Sequence, residues 1–475
     1  MSAPPTQDPE ITTTTQESPH SRRDLLRAMA GVSATVVLVA FDSTIVTTTL
    51  PRVAAALNGM ALYAWVGTAY LLATAASILI FGRLGDMYGR KPLMLVSVSL
   101  VALGSIACGL AQSMPQLIAF RTLQGIGGGM MIATAFAAPA DLFPDAGQRV
   151  RWMALVSATF AMASGIGPVL GGAATQALGW RAAFFISPLA AVAALFLLAR
   201  YFPRIRPAQT ASRRIDWVGG LLLIVVVGAP LAAIELAFAP GDGAHPRVAL
   251  AVAGIAAVAL LVPIERRVRS PIFPLRVLAG LEPRLLNLAA VAVGATMFIL
   301  IFYSPLLLQH ELDYSPSEAG LLLTPLVAAI SFGSIINGRL FPRQTEPQRL
   351  MVFGSCLLAA GSAMMLAVSA GTSAWWIVAA FFVNGTALGF LLPNLTLFMQ
   401  MLSERRDVGV ASALVQTTRA MGSAAGTALV GIAISHSSVL DGVRAGLILC
   451  VLLSLFSAVV AHRVKMKNVA ATPAA

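Results

Sequence analysis

The chain has 475 residues, of which 57% are hydrophobic and only 11% charged, against roughly a quarter charged in soluble domains. That balance excludes an ordinary soluble enzyme. The formal charge of +12 does not signal nucleic acid, because the basic residues are dispersed between apolar runs of membrane-spanning length, roughly 20 residues each.

Met1–His20 is rich in Thr and Pro and is predicted to be disordered; the tail as a whole, residues 1–28, is expected to be cytoplasmic. Ser21-Arg22-Arg23-Asp24-Leu25-Leu26-Arg27 resembles a twin-arginine export signal. The following run has no early small-x-small cleavage site, so the segment reads as a basic flank holding the first helix inside. Fourteen apolar runs then succeed one another, near 29–50, 62–81, 93–112, 117–139, 152–172, 181–201, 217–238, 247–264, 285–308, 318–338, 350–370, 374–396, 409–433 and 443–462. Isolated glycines and prolines within them do not argue against helix, since membrane helices tolerate both. Cys108, Cys356 and Cys450 fall in such runs without paired spacing, as small apolar residues rather than disulfides or metal ligands.

Topology follows from the cations. With the N-terminus inside, 26 of the 32 Lys and Arg fall in cytoplasmic segments. Outer loops hold only Arg52, Arg181, Arg247 and Arg444, while Arg121 and Arg419 lie inside runs. Positive loops stay in the cytoplasm, so fourteen spans with both termini inside are expected. The basic stretches 200–216 and 265–284 are read as linkers lying along anionic lipid headgroups.

Between the second and third runs stands Gly82-Arg83-Leu84-Gly85-Asp86-Met87-Tyr88-Gly89-Arg90-Lys91-Pro92-Leu93, a glycine-rich charged hairpin. It resembles the signature loop of the major facilitator superfamily, with Met87 where many members carry arginine. Gly333, Gly338-Arg339-Leu340 and Arg343 echo it weakly in the second half. Further motifs narrow the resemblance. The first run carries Asp42-Ser43-Thr44-Ile45-Val46-Thr47-Thr48-Thr49-Leu50-Pro51, and the fourth Arg121-Thr122-Leu123-Gln124-Gly125-Ile126-Gly127-Gly128-Gly129. The fifth ends in Gly165-Ile166-Gly167-Pro168-Val169-Leu170-Gly171-Gly172, followed by Trp180-Arg181. Together they resemble the fourteen-spanner drug/proton antiporters of the EmrB/QacA type. Thr47, Thr49 and Ala163 depart from the usual residues.

The resemblance implies an all-α membrane protein of major facilitator fold. Its parts would be an N-terminal six-helix bundle (29–201), linkers and two inserted helices (202–284), a C-terminal six-helix bundle (285–462) and a cytoplasmic tail (463–475). Parallel halves of this kind place one site at the membrane midplane. The implied activity is secondary active export of amphipathic drugs or toxic compounds in exchange for protons. No cofactor is needed, because the proton gradient drives the exchange. The bacterial inner membrane is the expected location and a monomer the expected state. The resemblance also allows an envelope-spanning adaptor protein as partner. The alternative is a proton-coupled exporter or symporter of one metabolite, such as an organic acid, siderophore or amino acid.

Candidate residues follow from cost. A charge at the centre of a membrane helix costs roughly 2.5–3.5 kcal/mol on insertion scales, so such residues usually line a cavity or proton path. Asp42 is the candidate proton carrier and a substrate contact; a bland alternative bonds it to Ser43, Thr44 or a neighbouring helix. Arg121 is implicated in proton coupling by the resemblance, with Gln124 one turn away; snorkelling to the outer headgroups is its alternative. Arg419 either neutralises a buried carboxylate or binds an anionic substrate group. Gln124, Arg419 and Asn394 complete the substrate-binding candidates, beside wall residues such as Met130, Met131, Phe136, Met297, Phe298, Phe302 and Phe390. Gly82, Gly85, Asp86, Gly89 and Arg90 form a candidate gate, with Asp86 expected at the N-terminal end of the third helix. Gly167, Pro168, Gly171 and Gly172 are expected to let one bundle pack against the other. Glu235 reads as interfacial. No paired histidines, metal-ligand cluster, phosphate-cradling loop or selectivity-filter loop stands in the sequence to favour an enzyme or channel.

Overall fold

A computed structural model of the chain describes residues 22–59, 62–205, 216–236, 244–268, 271–314 and 316–466. The expected tails at 1–21 and 467–475, part of the first linker (206–215) and the Glu235 side chain lie outside the described residues. Fifteen α-helices and no strand occur among the described residues. In the first part these are α1 (Arg22–Ala56), α2 (Tyr63–Tyr88), α3 (Arg90–Leu110), α4 (Met114–Leu142), α5 (Ala146–Leu178) and α6 (Trp180–Tyr201). Then come α7 (Trp217–Leu236) and α8 (Ala244–Arg267). The last part holds α9 (Leu281–Glu311), α10 (Pro316–Leu322), α11 (Thr324–Leu340), α12 (Gln348–Leu366), α13 (Ala374–Leu402), α14 (Val408–His436) and α15 (Val439–Arg463).

Among the described residues each apolar run lies largely in helix. Eleven of the helices are long and apolar enough to cross a membrane. α4 and α14 have the length, but Arg121, Gln124 and a glycine string dilute one, and Gln416, Arg419 and small polar residues dilute the other. α7 contributes a shorter apolar stretch, Trp217–Ala229. The tenth run is broken, with α10 ending at Leu322 and α11 starting at Thr324, because Pro325 has no N–H to continue the ladder. α1 takes in residues 22–28, expected to belong to the tail. Asp24 sits in its first turn, where an acid complements the helix dipole.

The expected hairpin at 82–93 is not a loop. α2 continues to Tyr88 and α3 begins at Arg90, leaving Gly89 as the whole turn at φ +86°. That backbone region suits glycine.

Packing pairs α1 with α5 and α6, α2 with α4, and α3 with α4 and α6. The later helices repeat the scheme: α9 with α14 and α15, α11 with α13, and α12 with α13 and α15. The two sets meet where α2 lies on α14 and α5 on α11, and α7, paired with α8, leans on α2 and α14. At the α2–α14 crossing a Cβ on Gly82 would stand 2.7 Å from the Ala413 Cβ and 2.8 Å from the Gly409 carbonyl oxygen. Only a residue without a side chain lets the backbones come this close, which is how membrane helices gain contact without a hydrophobic driving force.

Candidate functional site

Asp42 and Arg121 find each other. They come from α1 and α4, are each 1% exposed, and pair through Nη1 and Oδ2 at 3.4 Å. Gln124, one turn beyond Arg121, completes the group. Its Oε1 accepts from Arg121 Nη1 at 2.8 Å, and its Nε2 donates to Asp42 Oδ1 and, at 2.9 Å, to Ser105 Oγ of α3. The Arg121 guanidinium lies over the Tyr70 ring of α2, 4.1 Å from its centroid, and Cys108 Sγ sits 3.6 Å from Gln124 Oε1. Four helices thus converge on one charge pair. Breaking it by removing one partner would strand a buried charge. The side chain of Arg121 therefore points into the bundle, and snorkelling does not describe it. Ser43 and Thr44 donate to the Ala40 carbonyl, so of the structural alternatives for Asp42 it is the neighbouring helix, α4, that holds it.

Asp86 corrects the expectation placed on it. It lies on α2 and accepts backbone N–H bonds from Gly409 (2.9 Å to each oxygen) and Val410 (3.1 Å). These are free N-terminal donors of α14, so the dipole it serves belongs to α14 and not α3. Arg90 bridges Asp86 (2.9 Å) to Asp141 at the end of α4. Lys91 turns away, donating to the carbonyls of Ala199 (2.8 Å) and Phe202 (2.6 Å) at the end of α6. Beside this cluster, Asp407 gathers Arg83 of α2 (3.1 Å) and Arg276 (2.6 Å). The Arg276 guanidinium, bound by that carboxylate, is held above its ordinary range. Sequence reading missed Asp407, although an acid directly before an apolar run is an N-terminal helix signal. It missed Tyr70 and Asp141 too, whose partners lie far away in sequence.

The other candidates separate. A Cβ on Gly167 would fall 2.1 Å from Thr44 Oγ1, so this glycine seats α5 on α1 within the first set of helices, not against the second as expected. Gly165 is the one that faces across, towards Val327 of α11. Pro168, Gly171 and Gly172 continue α5, and a Cβ on Gly172 would meet open space. Gly85 leaves room for the Arg90 guanidinium. Asn394 exchanges two amide hydrogen bonds with Asn337 of α11, at 2.9 and 3.0 Å; both are fully buried, and this pair ties α13 to α11. Met130, Met131, Phe136 and Phe390 are buried, and the Phe302 side chain lies outside the described set. Arg419 is half-buried on α14, apart from the Asp42 group.

A bundle of membrane-crossing helices, paired by one scheme in two sets and holding a buried ion pair, defines a multi-pass membrane transporter. The Major Facilitator Superfamily model matches residues 32–427 and 286–468, and the chain belongs to that superfamily. It is 29% identical over 403 residues to Multidrug resistance protein 3 of Bacillus subtilis (strain 168), a match covering 84% of this chain and 78% of the relative. It is likewise 29% identical over 423 residues to Multidrug transporter protein MdtP of the same organism, covering 88% and 76%. The crystal structure of the human organic anion transporter MFSD10 superposes with a TM-score of 0.67 at 16% identity, over 91% of this chain and 99% of that one. This last likeness is one of fold.

Proposed function

We propose that the chain exports amphipathic drugs or toxic compounds from bacteria in exchange for protons, by alternating access. In this reading it spans the inner membrane fourteen times with both termini in the cytoplasm, in the manner of the EmrB/QacA type. Residues 29–201 and 285–462 form the two moving bundles, and α7 and α8 are inserted between them. The common pairing scheme of the two helix sets supports that division, and the relatives named for multidrug resistance and transport support the cargo.

The observation that carries the proton role is the Asp42–Arg121–Gln124 group. A proton on Asp42 cancels its charge, and Arg121 then keeps the Gln124 carbonyl, the Asp42 main-chain carbonyl and the Tyr70 ring. The α1–α4 contact thereby acquires two arrangements, and occupancy by a proton chooses between them. Thr44, two residues on, bears on Gly167 of α5, so a shift of α1 reaches the helix that faces α11. Asp86, Arg90 and Gly409 hold α2 on α14 at the end read as cytoplasmic, which corresponds to an outward-facing carrier with its inner side latched.

The test is proton-driven dye transport in proteoliposomes, with wild type beside Asp42→Asn. Wild type should release protons on adding substrate, and the variant should bind dye without that release. Transport that ignores the pH gradient would sink the antiport reading, whereas intact coupling in the variant would move the proton site elsewhere.

A further inference from the structure

Of the two cations inside apolar runs, Arg121 and Arg419, it is Arg419 that has no counter-charge among the described residues. Arg121 has Asp42, Arg90 has Asp86 and Asp141, and Arg83 has Asp407. The Arg419 guanidinium carries no ion pair or hydrogen bond among the described residues. Its stem passes Gly294 of α9, where a Cβ would fall 2.9 Å from Arg419 Cγ. One turn earlier on the same face stands Gln416, only 3% exposed. Neither its Oε1 nor its Nε2 has a partner, and the neighbouring Thr417 Oγ1, 1% exposed, has none either. Leaving such a group buried and unmet is unfavourable, and a ligand that meets it relieves the cost.

This polar strip looks into the protein. Ile432, 44% exposed, falls on nearly the opposite side of α14 from Gln416 at helical spacing, and α14 packs against α4, α9 and α13. Residues three apart on a helix are neighbours, so the amide N–H2 of Gln416 and the guanidinium of Arg419 present donors together. Donors so grouped match an oxyanion, and a charge-assisted bond to one is about twice as strong as a neutral bond. Asp42 is already engaged by Arg121 and Gln124, so the charge this interior offers a ligand is positive.

We infer that Gln416 and Arg419 form a substrate subsite for an anionic group, a carboxylate, sulfonate or phenolate on an amphipathic body. The inference rests on the exporter reading for the role of the bound compound, and it narrows the cargo to organic anions and zwitterions. Thr417 Oγ1 adds a hydroxyl for a second oxygen.

The test uses the full chain in lipid nanodiscs and calorimetry with three probes of one aromatic skeleton: naphthoate, its methyl ester and naphthyltrimethylammonium. Naphthoate should bind tightest. Arg419→Gln should weaken naphthoate about tenfold or more, the scale of one lost charge-assisted bond, while ester and cation binding stay within about twofold. Arg419→Lys should recover part of the loss, and Gln416→Leu should weaken naphthoate by a smaller factor. Unchanged ester binding certifies that each variant is folded. Naphthoate binding that is indifferent to Arg419→Gln, or a cation that binds tightest, would overturn the subsite. A parallel liposome assay keeps the two readings apart. Arg419-dependent binding without pH-driven transport would remove the exporter and uphold the subsite, and pH-driven naphthoate export untouched by Arg419→Gln would do the reverse.

Discussion

At the scale of residues, the cytoplasm-assigned end of the protein is organised by two carboxylates rather than by its many arginines. Asp407 is 1% exposed and receives Arg83 and Arg276 together. Arg276 is about two-fifths exposed, so solvent screens it and its share is small. Arg83 is nearly enclosed, and its Nε is further tied to the Pro271 carbonyl at 3.0 Å. Asp407→Asn should therefore destabilise the protein chiefly by stranding Arg83, by about 1–3 kcal/mol after that screening. Thermal unfolding in detergent, followed by a thiol-reactive dye on the buried Cys108 and Cys450 after the exposed Cys356 is replaced by serine, reads the change. Arg83→Gln in the Asp407→Asn background should restore part of the midpoint, because the stranded charge is gone. A double variant no more stable than Asp407→Asn alone would refute the pairing as an energetic unit.

At the scale of elements, Asp86 does for α14 what an N-cap does within a single helix, but from another helix. Hydrogen bonds to a charged group are worth roughly 1.5–3 kcal/mol. Asp86→Asn keeps an acceptor and loses the charge, so the α2–α14 junction should open about tenfold more often. A cysteine replacing Ala413, whose Cβ lies under Gly82, reports this by its labelling rate with an impermeant maleimide in inside-out vesicles. An unchanged rate would show that Asp86 is no latch. The same residue marks how far sequence reaches. The helical runs and the turn glycine at 89 were legible, because each is set by local chemistry and membrane thickness. The partner of Asp86 was not, since Gly409 lies more than three hundred residues away and nothing in either motif encodes that crossing. Asp42 and Arg121 were each marked as costly in isolation, and only the fold turned two costs into one pair. Gln416 carried no signal beyond being polar in an apolar run.

At the scale of the whole molecule, α5 and α11 form a second seam between the two sets of helices, and it can be used to ask how they move. Near the start of α5, a Cβ on Gly338 would stand 3.4 Å from the Ala154 Cβ. Further along, a Cβ on Gly165 would stand 3.6 Å from the Val327 Cβ. A disulfide holds its Cβ atoms about 3.5–4.5 Å apart, so the second separation lies inside that range and the first needs only a small outward shift. If the sets rock about the membrane centre, the Ala154–Gly338 end must separate in each cycle while the Gly165–Val327 level, near the middle of α5, stays close. Oxidising Ala154→Cys/Gly338→Cys should then lower transport about tenfold or more, with recovery on reduction, because the tether excludes the conformation in which this end opens. Oxidising Gly165→Cys/Val327→Cys should leave most of the activity, since a pivot tolerates a tether. Equal inhibition by both would mean that the helices slide past each other along their length rather than rock. Equal tolerance would mean that the seam never opens, and that the α2–α14 contact is the one that parts.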